Sequence, residues 1–295
     1  MKRSIDYLID LEASGYSIER FLKNRGYTKQ GIVEIKKGKD NALVNGKWVN
    51  MKYILSEGDC LTINIYEDGE SLKIIPVNLP FKVVYEDEDI IVVDKPANMP
   101  IHPSMNNYDN TLGNALAYYY KSKGEKLIFR CINRLDRDTS GLTIIAKHYL
   151  SAGILYNSML TREIHREYRA IVEGTMDDDE GTVDLPIGRL DGSTIERCVD
   201  FDNGERAVTH YKVISRKNNM TELSLNLETG RTHQIRVHMK SIGHPLIGDW
   251  LYNKDNKLLE RQALHSYRLS FVHPITQKQL EFVSDIPDDM RGILN

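Results

Sequence analysis

The sequence predicts an α+β fold: a large mixed, mostly antiparallel sheet in a main domain, preceded by a smaller α+β domain. Three observations lead there. Strand-like and helix-like stretches mix without regular alternation, which argues against a doubly wound parallel sheet. In the first 67 residues the apolar spacing changes from helical to strand-like near Gly38. A polar stretch carrying Gly69, Pro76 and Pro80 then sets that segment apart. The expected division is residues 1–67, a linker over 68–80, and a main domain over 81–295.

Ile18, Phe21 and Leu22 share one helical face, and Gly26 can stop that helix. A second helix is expected from Lys29 to Lys37, ending at Gly38. Ala42–Val44 and Lys47–Val49 flank Asn45-Gly46, the pattern of a hairpin. Leu61–Ile65 alternates as a strand. In the main domain, Phe81–Tyr85 and Ile90–Asp94 read as a β-branched hairpin. Later strands are Thr143–Ala146, Tyr168–Val172, Thr209–Ile214 and Leu223–Leu227. Helices are expected over Thr111–Ser122, Ser151–Arg162 and Thr232–Ser241.

At 41% hydrophobic and 27% charged residues, the chain can build a core and is not a disordered one. Cys60, Cys131 and Cys198 cannot all pair and lack metal-binding spacing, which argues against a disulfide framework or a zinc ribbon. No apolar run approaches the roughly 20 residues of a membrane span, and Met1–Tyr7 leads into no apolar signal core. A cytoplasmic protein is expected. Net charge is −3, but Arg20–Lys52 carries nine Lys and Arg against two acids. Such a segment suits a polyanion, although a solvated charged face gives the same count.

The densest chemistry is Asn133-Arg134-Leu135-Asp136-Arg137-Asp138-Thr139-Ser140-Gly141. A carboxylate between guanidiniums is favoured in its charged form, and a charged carboxylate can act as nucleophile or general base. A salt-bridged loop tying two strands has the same composition. Spacing alone does not choose between Asp136 and Asp138. His233 and His238 stand five apart, on different helical faces, so no metal site is expected there. Cys131 follows an apolar stretch and is expected to be buried.

Two resemblances add to this. Two short helices followed by "VNGKWV" and "YILSEGDCLTI" resemble the S4-type RNA-binding module, although "TKQGIVEIKKGK" departs from its Ser-Arg-rich helix. "NRLDRDTSGL" resembles the signature of the RluA-type RNA pseudouridine synthases. "YEDEDIIVVDKPANMPIHP", "REYRAIVEG", "TGRTHQIRVHMKSIGHPLIGDWLY" and "LHSYRLSFVHP" resemble its other motifs in order, over about residues 81–285. The family often has His where this chain has Asn133, which can hydrogen-bond backbone in the same way.

The resemblance implies isomerisation of uridine in RNA to pseudouridine, with no cofactor and no metal. It implies Asp136 as the catalytic aspartate, attacking C1′ or the uracil ring or removing a ribose proton. It implies Tyr168 as the face on which uracil stacks and Arg236 as the bidentate partner of Asp136. Arg134 would fill the space of the extruded base, and Arg231 and His233 would position their loop or touch phosphate. Arg20, Lys23, Arg25, Lys29, Lys36 and Lys37 would meet RNA from the first domain. His102, His244, His265 and His273 are expected to be structural or on the RNA-facing rim. Ribosomal RNA of the large subunit is the expected partner, transfer RNA the substitute, and the chain is expected to act as a monomer. The alternative is a non-catalytic RNA-binding or ribosome-assembly factor on the same fold, for which Asn133 is the one hint.

Overall fold

The structure, a computed structural model, describes residues 2–67, 69, 71 and 73–294. The first unit contains β1 (Lys2–Leu8), α1 (Ile18–Asn24), α2 (Lys29–Lys36), β2 (Ala42–Val44), β3 (Lys47–Trp48) and β4 (Cys60–Tyr66). Its strands lie in the order β1-β4-β2-β3, all antiparallel. The Ser17 and Thr28 hydroxyls accept from the backbone of Arg20 and Gly31 and so cap the two helices. Strand β1 is an addition to the expected elements. Ile5 and Tyr7 point inward from it, but its partner β4 begins only at Cys60, and a pairing that distant leaves no local turn signal.

The main unit runs β5 (Lys82–Glu86), β6 (Ile90–Lys95), α3 (Leu112–Ser122), β7 (Ser140–Ala146), α4 (Tyr149–Leu160), β8 (His165–Glu173) and β9 (Glu180–Asp184). It continues through β10 (Ile187–Arg189), β11 (Arg197–Val199), β12 (Val208–Lys217), β13 (Met220–Leu227) and α5 (Gln234–Ser241). It ends with β14 (Leu264–Val272), β15 (Gln279–Val283) and α6 (Asp288–Leu294). The main sheet has nine strands, in the order β5-β6-β7-β14-β8-β13-β12-β9, with β15 on β14. Every pairing in it is antiparallel except β7 with β14. This is the mixed, mostly antiparallel α+β sheet that the sequence predicts.

Alternation along the strands builds a core on each face. Ile91 and Val93 of β6 join Leu112 and Leu116 of α3 and Ile235 and Met239 of α5. Ile90 and Val92 point the other way, toward Leu155 of α4 and Phe271 of β14. At the β7–β14 junction, Gly141 has φ +107, and a Cβ there would lie 2.3 Å from the Ser266 carbonyl oxygen. Only glycine lets the two backbones approach this closely.

The first unit sits on α4. Its core of Ile18, Leu22, Ile32 and Ile35 continues into Leu150 and Ile154 of that helix. At the crossing of α2 and α4, a Cβ on Gly31 would lie 2.9 Å from the Leu150 side chain, and one on Gly153 would lie 3.0 Å from Thr28. Beside this contact Arg3 of β1 forks onto Asp89 at 2.9 and 3.2 Å. His148, the N-cap of α4, reaches the same carboxylate at 2.9 Å, and His273 reaches Asp87 at 2.9 Å. Asp87, Asp89 and His273 are near enough to share a cation, and Arg3 supplies that charge. Residues of the expected linker are tied to the main unit. Ser71 Oγ accepts from Phe129 N at 2.9 Å, and Ile75 O from Asn114 Nδ2 at 2.7 Å.

Enlarging the side chain at the helix crossing should wedge the units apart. Gly31→Val is expected to lower unfolding stability by about 1–3 kcal/mol, read as a lower urea midpoint. An unchanged midpoint would show that the helices do not close on that glycine.

Candidate active site

The segment before β7 is held by two buried polar side chains. Asn133 is 1% exposed; its Nδ2 donates to Leu142 O at 3.1 Å and its Oδ1 accepts from Ile144 N at 2.8 Å. It bonds backbone, as expected of a stand-in for His. Lys95, fully buried at the end of β6, donates to the carbonyls of Pro96, Met99 and Arg137 at 2.9, 2.8 and 3.0 Å. Burial pushes its ammonium down to about 7, against the pull of Asp138 and Asp136. The loop after β6 and the signature turn are thus fastened to one side chain.

Within that turn the two acids part. Asp138 is buried and takes both arms of Arg137, at 2.9 and 2.8 Å, and the Trp250 indole N–H at 3.2 Å. Asp136 keeps 26% of its side chain exposed. Its Oδ2 lies 3.2 Å from Arg236 Nη1 and 3.9 Å from His233 Nε2. The flanking guanidiniums therefore do not grip Asp136. Arg137 turns to its neighbour, and Arg134 makes no hydrogen bond or ion pair among the described residues. The cation on Asp136 comes from α5.

Arg236 is 3% exposed, and its fork closes on Asp249, not on Asp136: Nε to Oδ2 at 2.7 Å and Nη2 to Oδ1 at 2.8 Å. This corrects the expectation of a bidentate pair with Asp136, which receives a single Nη1 contact. Asp249 is fully buried and also accepts from Leu251 N and Tyr252 N at 3.0 and 3.1 Å. Burial works against the Arg236 charge, but Asp249 and Asp136 together raise its pKa. The apolar side of α5, Ile235 and Met239, is in the core, so Arg236 is directed back toward the signature turn.

Tyr168 lies on β8 opposite Leu225 and Ser266 and is 5% exposed. Burial raises its pKa, while Arg166 and Ser266 bond the hydroxyl and pull the other way. His233 adopts the left-handed backbone, φ 58, just before α5, and its Nδ1 lies 2.9 Å from the Tyr252 hydroxyl. Burial lowers the pKa of His233, so the ring is neutral at pH 7. Arg231 pairs with Glu205, and its Nε donates to Arg206 O at 3.2 Å. Gln234 Oε1 accepts from Thr229 Oγ1 at 2.8 Å and Arg231 N at 3.0 Å, which fixes this loop.

One cavity of about 400 Å³ brings six of the expected residues together: Asp136, Tyr168, Arg236, Arg134, Arg231 and His233. That is within the usual size of ligand pockets, about 300–1,000 Å³. Arg20, Lys23, Arg25, Lys29, Lys36 and Lys37 do not line it. Of the other histidines, His102 lines it, with its pKa lowered by burial and by Arg134. His265 contacts Ser140 at 2.9 Å and His244 contacts Glu173 O at 2.9 Å, both as structural bonds. His238 contacts Thr209 and Leu185, away from His233. Burial pushes the Cys131 thiol up to about 11, which leaves it unreactive.

A model of the RNA pseudouridylate synthase family matches residues 89–241. The uncharacterized RNA pseudouridine synthase YjbO of Bacillus subtilis (strain 168) is 40% identical over 278 residues, 94% of this chain and 98% of that one. The chain belongs to this family, in its RluA-type branch. Ribosomal large subunit pseudouridine synthase D of Zymomonas mobilis is 41% identical over 247 residues, 79% of this chain and 77% of that one. The structure of human RNA pseudouridylate synthase domain containing 1 has a TM-score of 0.59 and 26% identity, covering 70% of this chain and 83% of that one. The synthase is an isomerase.

Sequence reasoning missed Asp249, Lys95 and Arg166 in this synthase. Asp249 follows the apolar run Leu246-Ile247-Gly248, and Lys95 ends the run Ile90–Val93. A charge embedded in apolar sequence needs a buried partner, and that was the available signal. Arg166 lines the cavity two residues before Tyr168 and is 8% exposed, with its Nε unpartnered. Asp249→Ala leaves a buried guanidinium half-paired. It is expected to cost about 3–5 kcal/mol of stability and to lower kcat more than it raises KM, with Asp249→Glu recovering part of both. Thermal melts and steady-state kinetics on RNA measure this; wild-type kcat in the alanine variant would show that Arg236 needs no such support.

Proposed function

We propose that this synthase converts specific uridines in structured RNA, ribosomal RNA of the large subunit, to pseudouridine, with Asp136 as the catalytic carboxylate. The observation that carries the reading is the one cavity in which a partly exposed carboxylate, a tyrosine ring and a buried arginine converge. The ribosomal target rests on relatives near 41% identity that are named ribosomal large subunit pseudouridine synthase D. In this reading residues 1–67 are an S4-like RNA-binding domain, 68–80 a linker and 81–295 the catalytic domain. It works as a monomer in the cytoplasm, where its RNA is made.

The chemistry follows from the placement. A uridine inside a helix must be extruded before its sugar–base bond can be reached, at about a few kcal/mol. Arg134, which has no partner among the described residues, takes the vacated space. The uracil lies against the Tyr168 ring, and its ribose C1′ faces Asp136. The N1–C1′ bond breaks, the uracil turns in the cavity, and C5 bonds to C1′. The C5 proton leaves and N1 gains one, so the product has the composition of the substrate. No electron donor or acceptor enters that balance. Arg236 donates one guanidinium N–H to the carboxylate and so fixes its direction.

Loss of the C5 hydrogen gives a direct readout: tritium release from RNA labelled at uridine C5. Asp136→Asn is expected to cut the rate by at least about 10²–10⁴-fold with RNA affinity retained; a turning-over variant would take Asp136 out of the mechanism. A large-subunit ribosomal RNA transcript should release label and a transfer RNA transcript should not. The reverse pattern would sink the ribosomal assignment. Because burial raises the Tyr168 pKa, its hydroxyl stays protonated up to about pH 9. The pH–rate profile should therefore show no tyrosine-linked fall between about pH 7 and 9.

A further inference from the structure

Most helical cations of the first unit are already engaged. Lys23 and Lys36 share Glu19 at 2.8 and 2.9 Å, and their bonds hold that carboxyl down to about 2. Lys37 pairs with Glu34 at 2.7 Å. Arg20 lies 4.0 Å over the Tyr16 ring, and Arg25 lies 4.8 Å over Tyr7. Lys29 of α2 stays open, as do charges off the helices. Among the described residues, Lys47 and Lys52 have no ion-pair partner. Lys47 opens the outer strand of the hairpin and Lys52 follows it in the chain, and between them β3 presents Trp48, 56% exposed.

A lone exposed aromatic is ordinary on a protein surface. This one borders a groove of about 410 Å³ walled by Ile35, Ala42, Val49 and Met51, with Lys52 on one side and, on another, Glu19, whose charge Lys23 and Lys36 already balance. A flat aromatic, an apolar slot and unpaired lysines together match a polyanion that offers flat bases. Unpaired nucleotides do so, because each base has a face to stack and each linkage a phosphate to neutralise. Double-helical RNA keeps its base faces covered. We infer that the Trp48 groove holds an unpaired base of the substrate RNA, stacked on the indole, with Lys47 and Lys52 on the flanking phosphates. The inference rests on the reading of the first unit as RNA-binding, and it moves the contact from the helices to the hairpin.

The test uses the full chain and a large-subunit ribosomal RNA transcript. The chain has two tryptophans, so comparison with Trp48→Phe assigns the emission of Trp48. RNA is expected to quench that emission, and Trp48→Ala to raise Kd about tenfold. Lys47→Ser with Lys52→Ser should shallow the salt dependence of binding by about 1.4 in log–log slope. Lys23→Ser with Lys37→Ser, on the helices, should change Kd less than about twofold, since those lysines are ion-paired. If the helix pair weakens binding and Trp48→Ala binds as wild type does, the inference falls and the RNA-binding reading stands. If RNA binds but neither set of variants changes its affinity, both fall. Should Trp48→Ala lower the melting temperature, the exposed lysine pair decides: an unchanged salt slope overturns the inference.

Discussion

A buried guanidinium is tolerable only if its charge is balanced where it lies, and the site is organised around that balance. Arg236 is nearly out of water, and the carboxylate that neutralises it is Asp249, fully buried and bonded through both oxygens. Because Asp249 carries the pairing, Asp136 is not needed to keep Arg236 folded. It receives one Nη contact and keeps a quarter of its side chain open to the cavity. Were Asp136 the sole partner, any movement of its charge toward a substrate would strip a buried ion pair, at about 3–5 kcal/mol. The second acid removes that penalty and frees the first.

Backbone constraints set where Asp136 stands. The signature turn leads into β7, the strand that makes the one parallel contact of the main sheet, and Gly141 allows β7 and β14 to approach at Ser266. Lys95 fixes the other end by taking three carbonyls, one of them Arg137 O. Tyr168 sits on β8, which pairs with β14, and its hydroxyl meets Ser266 as well. The acid and the tyrosine are therefore referenced to the same β14 residue. Placement on strands holds a site more exactly than placement on loops does.

This arrangement explains what the sequence could and could not tell. The strands, the helices and the convergence of three distant motifs were readable, because each carries its own periodicity and its own unusual residues. Partner choice was not. Arg134 and Arg137 flank Asp136 and look like its holders, yet Arg137 folds onto its other neighbour, Asp138, while Arg236 reaches Asp136 across a hundred residues. Asp249 carried only a weak signal, because its apolar run is short and a single acid between Gly and Trp also suits a surface turn. Strand β1 was hidden because only its pairing with β4 makes it a strand.

The first unit shows the same limit from the side of charge. A count of nine cations against two acids over Arg20–Lys52 stops one residue short of Glu19, which neutralises two of them. Exposure and pairing, not number, decide which cations can meet a phosphate. The unit's core also runs into α4, and Arg3 joins it to Asp89, so its surface has a set position relative to the cavity. An RNA held by both would have to span that fixed separation with an unpaired base at one end and an extrudable uridine at the other. Two weak contacts joined in this way act as one strong one only when the geometry fits.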